Sequence, residues 1–197
     1  MPVSDATLPP QYFDDIYRAN PDPWAFASSS YEAEKYAATL AALPRGRYEN
    51  AYEIGCSIGV LSARLAPRCG RLLSVDASAL PLAEARQRLA PFGQVRVEQG
   101  VVPADLPGDT FDLIVLSEVG YYLSWADLET LREGLLARLR PGGHLLLVHW
   151  TPRVPDYPRT GDEVHDFFAE KTGPAQPLVH QAGHRAERYR LDVFERL

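Results

Sequence analysis

The sequence predicts an α/β fold built on a mostly parallel, doubly wound sheet, and three observations carry that expectation. From about residue 50 onward, short apolar runs of strand length alternate with helical stretches. Such an alternation buries both faces of a parallel sheet under helices through right-handed crossovers. The first apolar run ends in a glycine turn, Glu53-Ile54-Gly55-Cys56-Ser57-Ile58-Gly59, and the second ends in an acid, Val75-Asp76. Near the C-terminus the rhythm changes, and two strand-like runs follow one another with no helix between them.

Taken in order, Pro9–Asn20 reads as an amphipathic helix with Tyr12, Phe13, Ile16 and Tyr17 on one side. Asn20-Pro21-Asp22-Pro23-Trp24 ends it, since prolines this close cannot continue a helix. Ser30 is placed to cap a second helix, Tyr31–Leu43, which Pro44 and Gly46 close. Strands follow at Ala51–Ile54, Leu72–Val75, Gln94–Glu98, Phe111–Leu116 and Leu145–Trp150. Helices at Gly59–Ala66, Leu80–Leu89 and Trp125–Leu139 lie between them, and Leu139-Arg140-Pro141-Gly142-Gly143 reads as a helix-to-strand turn. Leu178–Gln181 and Tyr189–Arg196, with Gly183 between, predict an antiparallel hairpin at one edge. The expected whole is a Rossmann-like, seven-stranded sheet in a single domain, with residues 1–45 as a helical lid and 46–197 as the core.

Composition narrows the classes of function. The 197 residues carry a net charge of −6, and no run of Lys or Arg offers the basic patch that a nucleic-acid surface needs. The N-terminus has neither a basic start nor an apolar block, and the longest apolar runs fall far short of a membrane span. The expected location is therefore the cytoplasm. Cys56 and Cys69 form no C-x-x-C pair and, with the histidines, no metal-ligand spacing, so reduced thiols and no metal are expected.

An open α/β sheet binds its ligand beyond the carboxyl ends of its strands. Gly55 and Gly59, around Cys56, allow a tight turn and close approach of backbone to ligand. Asp76, followed by Ala77, lies about twenty residues on from Gly55, the placement for holding both hydroxyls of a ribose. A dinucleotide would need G-x-G-x-x-G to seat its pyrophosphate, but here the spacing is G-x-x-x-G with Ser57 inside it. Glu53, at the end of the same strand, suits an α-ammonium rather than a phosphate. S-adenosylmethionine carries that ammonium and no phosphate, which makes it the expected cofactor and S-adenosylhomocysteine the expected product. Gly100, Val101 and Val102 offer no carboxylate for the adenine, so adenine is expected to lie on the two valines and be read through backbone groups. Ser117 and Glu118 end the fourth strand on the same crevice.

The order of glycine loop, acidic strand end, Phe111-Asp112-Leu113-Ile114 and Leu139-Arg140-Pro141-Gly142-Gly143 resembles the class I methyltransferases over roughly residues 50–150. Tyr12-Phe13-Asp14-Asp15-Ile16-Tyr17, Asn20-Pro21-Asp22-Pro23-Trp24, Ser30-Tyr31-Glu32 with Lys35-Tyr36, and the closing Tyr189–Phe194 resemble the nodulation protein S family. That resemblance implies an N-methyltransferase. The namesakes of the family methylate the free amine of a terminal glucosamine on a chitin oligosaccharide.

The two N-terminal helices can then close over the crevice, exclude water and hold the reactants in line. Trp24 is placed to cover the methionine end of the cofactor, since an aromatic face favours a sulfonium. Tyr31 and Lys35 share a helix face at i, i+4, and Lys35 can reach the methionine carboxylate. The expected reaction is a displacement at the methyl carbon by a small-molecule acceptor, without a metal. An amine acceptor must first lose a proton, to a base or by desolvation. His149 is the first candidate for that base and Glu118 the second. Tyr121 and Tyr122, then Trp150 with the proline-rich loop to Asp162, and His165, are expected to shape the acceptor pocket. O-methylation of a small metabolite, a nicotinamide-dependent oxidoreductase and a non-catalytic binding module remain the alternatives at this point. The residues do not give an oligomeric state.

Overall fold

The structure, a computed structural model, describes residues 5–197; the first four residues of the expected lid lie outside that range. Two helices come first, α1 (Pro10–Ala19) and α2 (Ser30–Ala42). Strands and helices then alternate: β1 (Tyr48–Ile54), α3 (Val60–Leu65), β2 (Cys69–Asp76), α4 (Leu82–Leu89), β3 (Val95–Gln99), β4 (Phe111–Ser117), α5 (Trp125–Arg138), β5 (Leu139–Trp150). The chain closes with α6 (Gly161–Ala169), β6 (Leu178–Arg185) and β7 (Tyr189–Arg196).

All seven strands form one sheet in the order β3-β2-β1-β4-β5-β7-β6. Strands β1 to β5 pair in parallel, and β7 runs antiparallel between β5 and β6. The chain moves outward in one direction from β1 and in the other from β4, so a crevice opens beyond the carboxyl ends of these two central strands. Alternation along β4 and β5 divides the core between the faces of the sheet. Ile114, Leu116, Leu145 and Leu147 pack with α5 and α6 through Leu128, Leu131, Val164 and Phe168. Leu113, Val115, Leu146 and Val148 pack on the other side with Tyr36 of α2 and Leu61 and Leu65 of α3. Among the described residues no helix is long and apolar enough to cross a membrane.

Four local expectations change. Ser29, not Ser30, caps α2, its hydroxyl accepting from the Glu32 N–H at 3.3 Å. The Pro141-Gly142-Gly143 segment is not a separate turn but an irregularity within β5, where Leu139 still pairs with Phe111 and His144 pairs with Leu113. Gly142 takes φ +73° there, a conformation that glycine adopts without a Cβ penalty. Gly183 lies inside β6 opposite Asp192, and the hairpin turns after Arg185 instead. A Cβ at Gly183 would stand 2.8 Å from the Asp192 carboxylate. Helix α6 replaces part of what read as irregular chain; a reciprocal capping box between Thr160 and Glu163 starts it.

Candidate functional site

A cavity of about 440 Å³ occupies the crevice, with α1, α2 and their connection forming its outer wall. The loop after β1 is its floor. Gly55 has φ +85°, and a Cβ there would meet Val119 Cγ2 at 2.4 Å and the Ser117 carbonyl at 3.0 Å. Gly59, at φ +78°, does not line the cavity; a Cβ there would stand 3.2 Å from Ala85 Cα and from Leu89 Cδ1 of α4. At both positions a side chain would collide with neighbouring protein atoms and hold a strained backbone, so glycine is required by packing. Ser57 has φ +49°, accepts a hydrogen bond from the Tyr17 hydroxyl of α1 at 2.7 Å, and so ties the loop to the first helix.

Asp76 ends β2 on the cavity wall. Its two oxygens accept from the Ser57 N–H at 2.9 Å and the Ser78 N–H at 3.0 Å, which fixes the carboxylate while leaving each oxygen a second lone pair. Burial pushes its pKa up to about 6, with the backbone donors working against that rise.

At the other end stands an ion cluster. Lys35 is 2% exposed, and its ammonium donates to Glu118 Oε1 at 2.6 Å and Glu32 Oε1 at 3.0 Å. Glu118 Oε2 accepts from the Tyr121 hydroxyl at 2.7 Å and the Trp150 N–H at 2.8 Å. The backbone of Glu118 sits at φ +57°, uncommon for a non-glycine residue and worth note on a cavity wall. Burial lowers the Lys35 pKa, but the two carboxylates outweigh it and leave it raised. For Glu32 burial dominates, and Lys35 only partly offsets the upward shift.

Trp24, Tyr31, Lys35, Gly55, Asp76, Ala77, Gly100, Val101, Val102, Ser117, Glu118, Tyr121, Tyr122 and Trp150 all line this one cavity. Glu53, Cys56, Gly59, His149 and His165 do not. Glu53 precedes Ile54 on β1, and the pleat turns it away from the cavity that Ile54 lines. It is 1% exposed, accepts from the Ser74 hydroxyl at 2.7 Å, and burial pushes its carboxyl up to about 7. Cys56 is buried beneath the loop, and burial pushes its thiol well up.

His149 is fully buried behind the wall. Its Nε2 accepts the Gly120 N–H at 3.1 Å, so the ring proton is on Nδ1, which faces His165 Nε2 at 3.1 Å. His165 Nδ1 in turn donates to Asp192 Oδ2 at 2.6 Å. Both ring nitrogens of His149 are engaged away from the cavity, and burial lowers its pKa well below the usual range. It is not placed to take a proton from an acceptor, and His165 is not placed to touch one. Glu118 is on the wall, but its oxygens already hold three donors.

The adenine expectation also changes in detail. The Val101 N–H donates to Asp105 Oδ2 at 3.0 Å and the Val101 carbonyl accepts from the Asp105 N–H at 2.9 Å, so that backbone pair is already in use. Wall residues outside the sequence expectation include Tyr17, Ser57, Glu32 and Phe13, while Tyr157 comes from the proline-rich loop after Trp150. The apolar face of the first helix pointed to Tyr17 and Phe13. Glu32 had a signal too, since it stands three residues before Lys35 on one helix face.

The family model for Nodulation protein S (NodS) matches residues 15–152. The chain belongs to the nodulation protein S family. Nodulation protein S of Sinorhizobium fredii (strain NBRC 101917 / NGR234) is 34% identical over 64% of this chain and 59% of its own length. That of Rhizobium tropici is 34% identical over 64% of this chain and 53% of its own. The chain thus spans only a little more than half the length of these curated relatives. Among solved structures, N-methyltransferase NodS from Bradyrhizobium japonicum WM9, in complex with S-adenosyl-L-homocysteine, superposes with a TM-score of 0.83 at 25% identity, over 94% of this chain and 97% of that one. A Pseudomonas syringae crystal structure, provisionally described as a methyltransferase, has 41% identity and a TM-score of 0.74 over 85% of this chain and 100% of that one. In this NodS-like chain, residues 15–152 run from α1 to just past the end of β5, so α6, β6 and β7 lie beyond the family match.

Proposed function

We propose that this chain is an S-adenosylmethionine-dependent methyltransferase acting on a small-molecule amine. The observation that carries the reading is the charge of the cavity wall. Lys35 is the one cation among the described residues lining it, and it is shared between two carboxylates, with Asp76 a third. Such a wall disfavours a pyrophosphate and favours a ligand that brings positive charge, a sulfonium with an α-ammonium. The residues fit that cofactor: a fixed carboxylate for the ribose, a glycine loop beneath it, and unspent polar groups on the lid side.

When bound, S-adenosylmethionine supplies a methyl group activated by its sulfonium. Asp76 accepts from the ribose hydroxyls, and the Gly100–Val102 turn with Ala77 flanks the adenine. Trp24 covers the methionine end, and Lys35 serves its carboxylate. Helices α1 and α2 act as the lid that excludes water, pinned by Tyr17 on Ser57 and by Lys35 on Glu118. Tyr121, Tyr122 and Trp150 bound the acceptor end together with Tyr157, whose ring stacks on Tyr121 at 5.0 Å. Among the described residues no histidine lines this pocket, so loss of the amine proton is driven by desolvation among these rings, which lowers an ammonium pKa. An amino sugar of the glucosamine type is the first acceptor to try, because family namesakes use one.

The deciding experiment is calorimetric titration of the protein with S-adenosylhomocysteine, followed by a methyl-transfer screen on glucosamine, chitin-type oligosaccharides with a free amine, and simple amines. Micromolar binding and methylated amine products are expected. Binding without turnover on amines, but with turnover on hydroxyls, would replace N- by O-methylation. Absence of binding would remove the cofactor assignment.

A further inference from the structure

We propose that Glu32, on lid helix α2, is the carboxylate that receives the α-ammonium of the cofactor, the part expected of Glu53. The inference rests on the S-adenosylmethionine reading above.

It begins with the carboxylates that the fold brings near the cavity. Glu53 is excluded by the pleat of β1, which turns it to Ser74 on the neighbouring strand. Asp76 is held by two backbone N–H groups at the end of β2, the ribose position. Glu118 is committed to Lys35, the Tyr121 hydroxyl and the Trp150 N–H. Glu53 Oε1 also lacks a hydrogen-bond partner, but Glu53 does not line the cavity, and in that Glu32 differs. It lines the cavity, is 6% exposed, and spends Oε1 on Lys35, whereas Oε2 has no hydrogen-bond partner. A buried carboxylate oxygen left without a donor is costly, and a ligand that brings an N–H donor removes that cost.

Placement agrees. Ser29, which caps α2 and receives the Glu32 N–H, also lines the cavity. Helix α2 lies against α3, the helix that the glycine loop leads into: Arg64 donates to the Ala33 carbonyl at 3.4 Å and stands over the Tyr36 ring at 5.5 Å. Glu32 therefore shares one cavity with Gly55, Ser57 and Asp76, on the side where the amino-acid end of a cofactor with its ribose at Asp76 would fall. Lys35 has used two of its three N–H donors, and the third serves the carboxylate of the same ligand end. Glu32 and Lys35, one helical turn apart, thus form a matched pair for a zwitterion. The groups that bear on Glu32 are Lys35, Glu118 and Tyr36; only Lys35 is a cation, and it is shared.

The test is a binding cycle read by calorimetry at pH 7.5, with S-adenosylhomocysteine and its deaminated analogue, in which hydrogen replaces the amine. Wild type, Glu32→Gln and Glu53→Gln are compared. Wild type is expected to bind the amine-bearing ligand at least tenfold more tightly than the analogue. Glu32→Gln is expected to lose about tenfold or more for the former and to bind both nearly alike. Glu53→Gln is expected to keep the wild-type preference. The ligand-side comparison on wild type needs no variant to fold; equal affinity of wild type for the two ligands overturns the proposal outright. An equal loss of both ligands in Glu32→Gln also overturns it, because the residue would then act on the lid and not on the ammonium. Transfer of the preference to Glu53 does so as well. Failure of wild type to bind S-adenosylhomocysteine at all would overturn the cofactor reading itself, a result distinct from these.

Discussion

His149 Nδ1 and His165 Nε2 meet at 3.1 Å in a chain of hydrogen bonds whose direction is set at both ends. At one end the Gly120 N–H can only donate, to His149 Nε2; at the other the Asp192 carboxylate can only accept, from His165 Nδ1. Both rings are therefore neutral with the proton on Nδ1. This chain joins β7 and α6 to the turn that carries Tyr121 and Tyr122, so the C-terminal elements hold that wall of the cavity from behind. His149→Phe keeps ring volume but leaves the Gly120 N–H without an acceptor. It is expected to lower stability by about 1–3 kcal/mol in urea unfolding and to leave S-adenosylhomocysteine affinity nearly unchanged. A large loss of that affinity would mean the chain supports the cofactor side instead.

The same chain makes stability acid-sensitive in a stated direction. Burial holds the pKa of both histidines below the ordinary 6.5, so folding favours their neutral forms. The stability they contribute is present above pH 6.5 and is lost as pH falls from there toward their folded values. His149→Gln, which can still accept from Gly120, is expected to show a shallower loss of Tm between pH 7 and pH 5 than wild type. Parallel curves would show that the histidines do not carry the slope.

Glu53 works in the opposite sense. Its folded pKa of about 7 lies above the ordinary 4.5, so the neutral carboxyl is favoured by folding and the penalty for charging it grows as pH rises from 4.5 to 7. Glu53→Gln is expected to be close to neutral at pH 4.5 and to stabilise the fold by roughly 3 kcal/mol at pH 8. Chemical unfolding of variant and wild type at the two pH values measures this difference directly. A variant less stable at pH 8 than at pH 4.5, relative to wild type, contradicts it.

Asp76→Ala removes the acceptor expected for the ribose hydroxyls and is predicted to weaken S-adenosylhomocysteine binding by about a hundredfold. With a pKa of about 6 in the free protein, Asp76 protonates as pH falls through 6, so wild-type affinity is expected to drop there while that of Asp76→Ala stays flat. Calorimetry at pH 7.5 and pH 5.5 tests both statements.

Lys35→Met leaves Glu32 and Glu118 facing one another with no cation between them. Breaking a buried ion pair from one side costs about 3–5 kcal/mol. The variant is expected to unfold at lower urea and to expose α2 to limited proteolysis before the sheet, whereas Glu118→Gln, which spares one carboxylate–lysine pair, is expected to cost less. Equal resistance of Lys35→Met and wild type would remove the cluster as the clasp of the lid.

Much of this was readable along the chain because it depends on neighbours in sequence. Alternating strand and helix signals, the Gly55–Gly59 turn, Asp76 at a strand end, and the aromatic face of the first helix are local patterns, and local sterics and hydrophobic periodicity suffice to produce them. Helix α6 was legible too, through Thr160 and Glu163, although the prolines before it masked the signal.

What tertiary structure decided is orientation. On a strand one residue changes the face, so Ile54 lines the cavity and Glu53 does not, and Trp150 lines it while His149 is sealed behind it. Sequence spacing names the strand end but cannot say which of two adjacent side chains looks into the crevice. The Lys35–Glu118 contact spans 83 positions and the His149–His165–Asp192 chain joins three separate elements. Such contacts exist only after the sheet order has brought β1, β4, β5 and β7 side by side. Residue types along the chain determined the fold and the floor of the site; packing decided which charges meet across it, because burial and partner geometry are properties of the folded state alone.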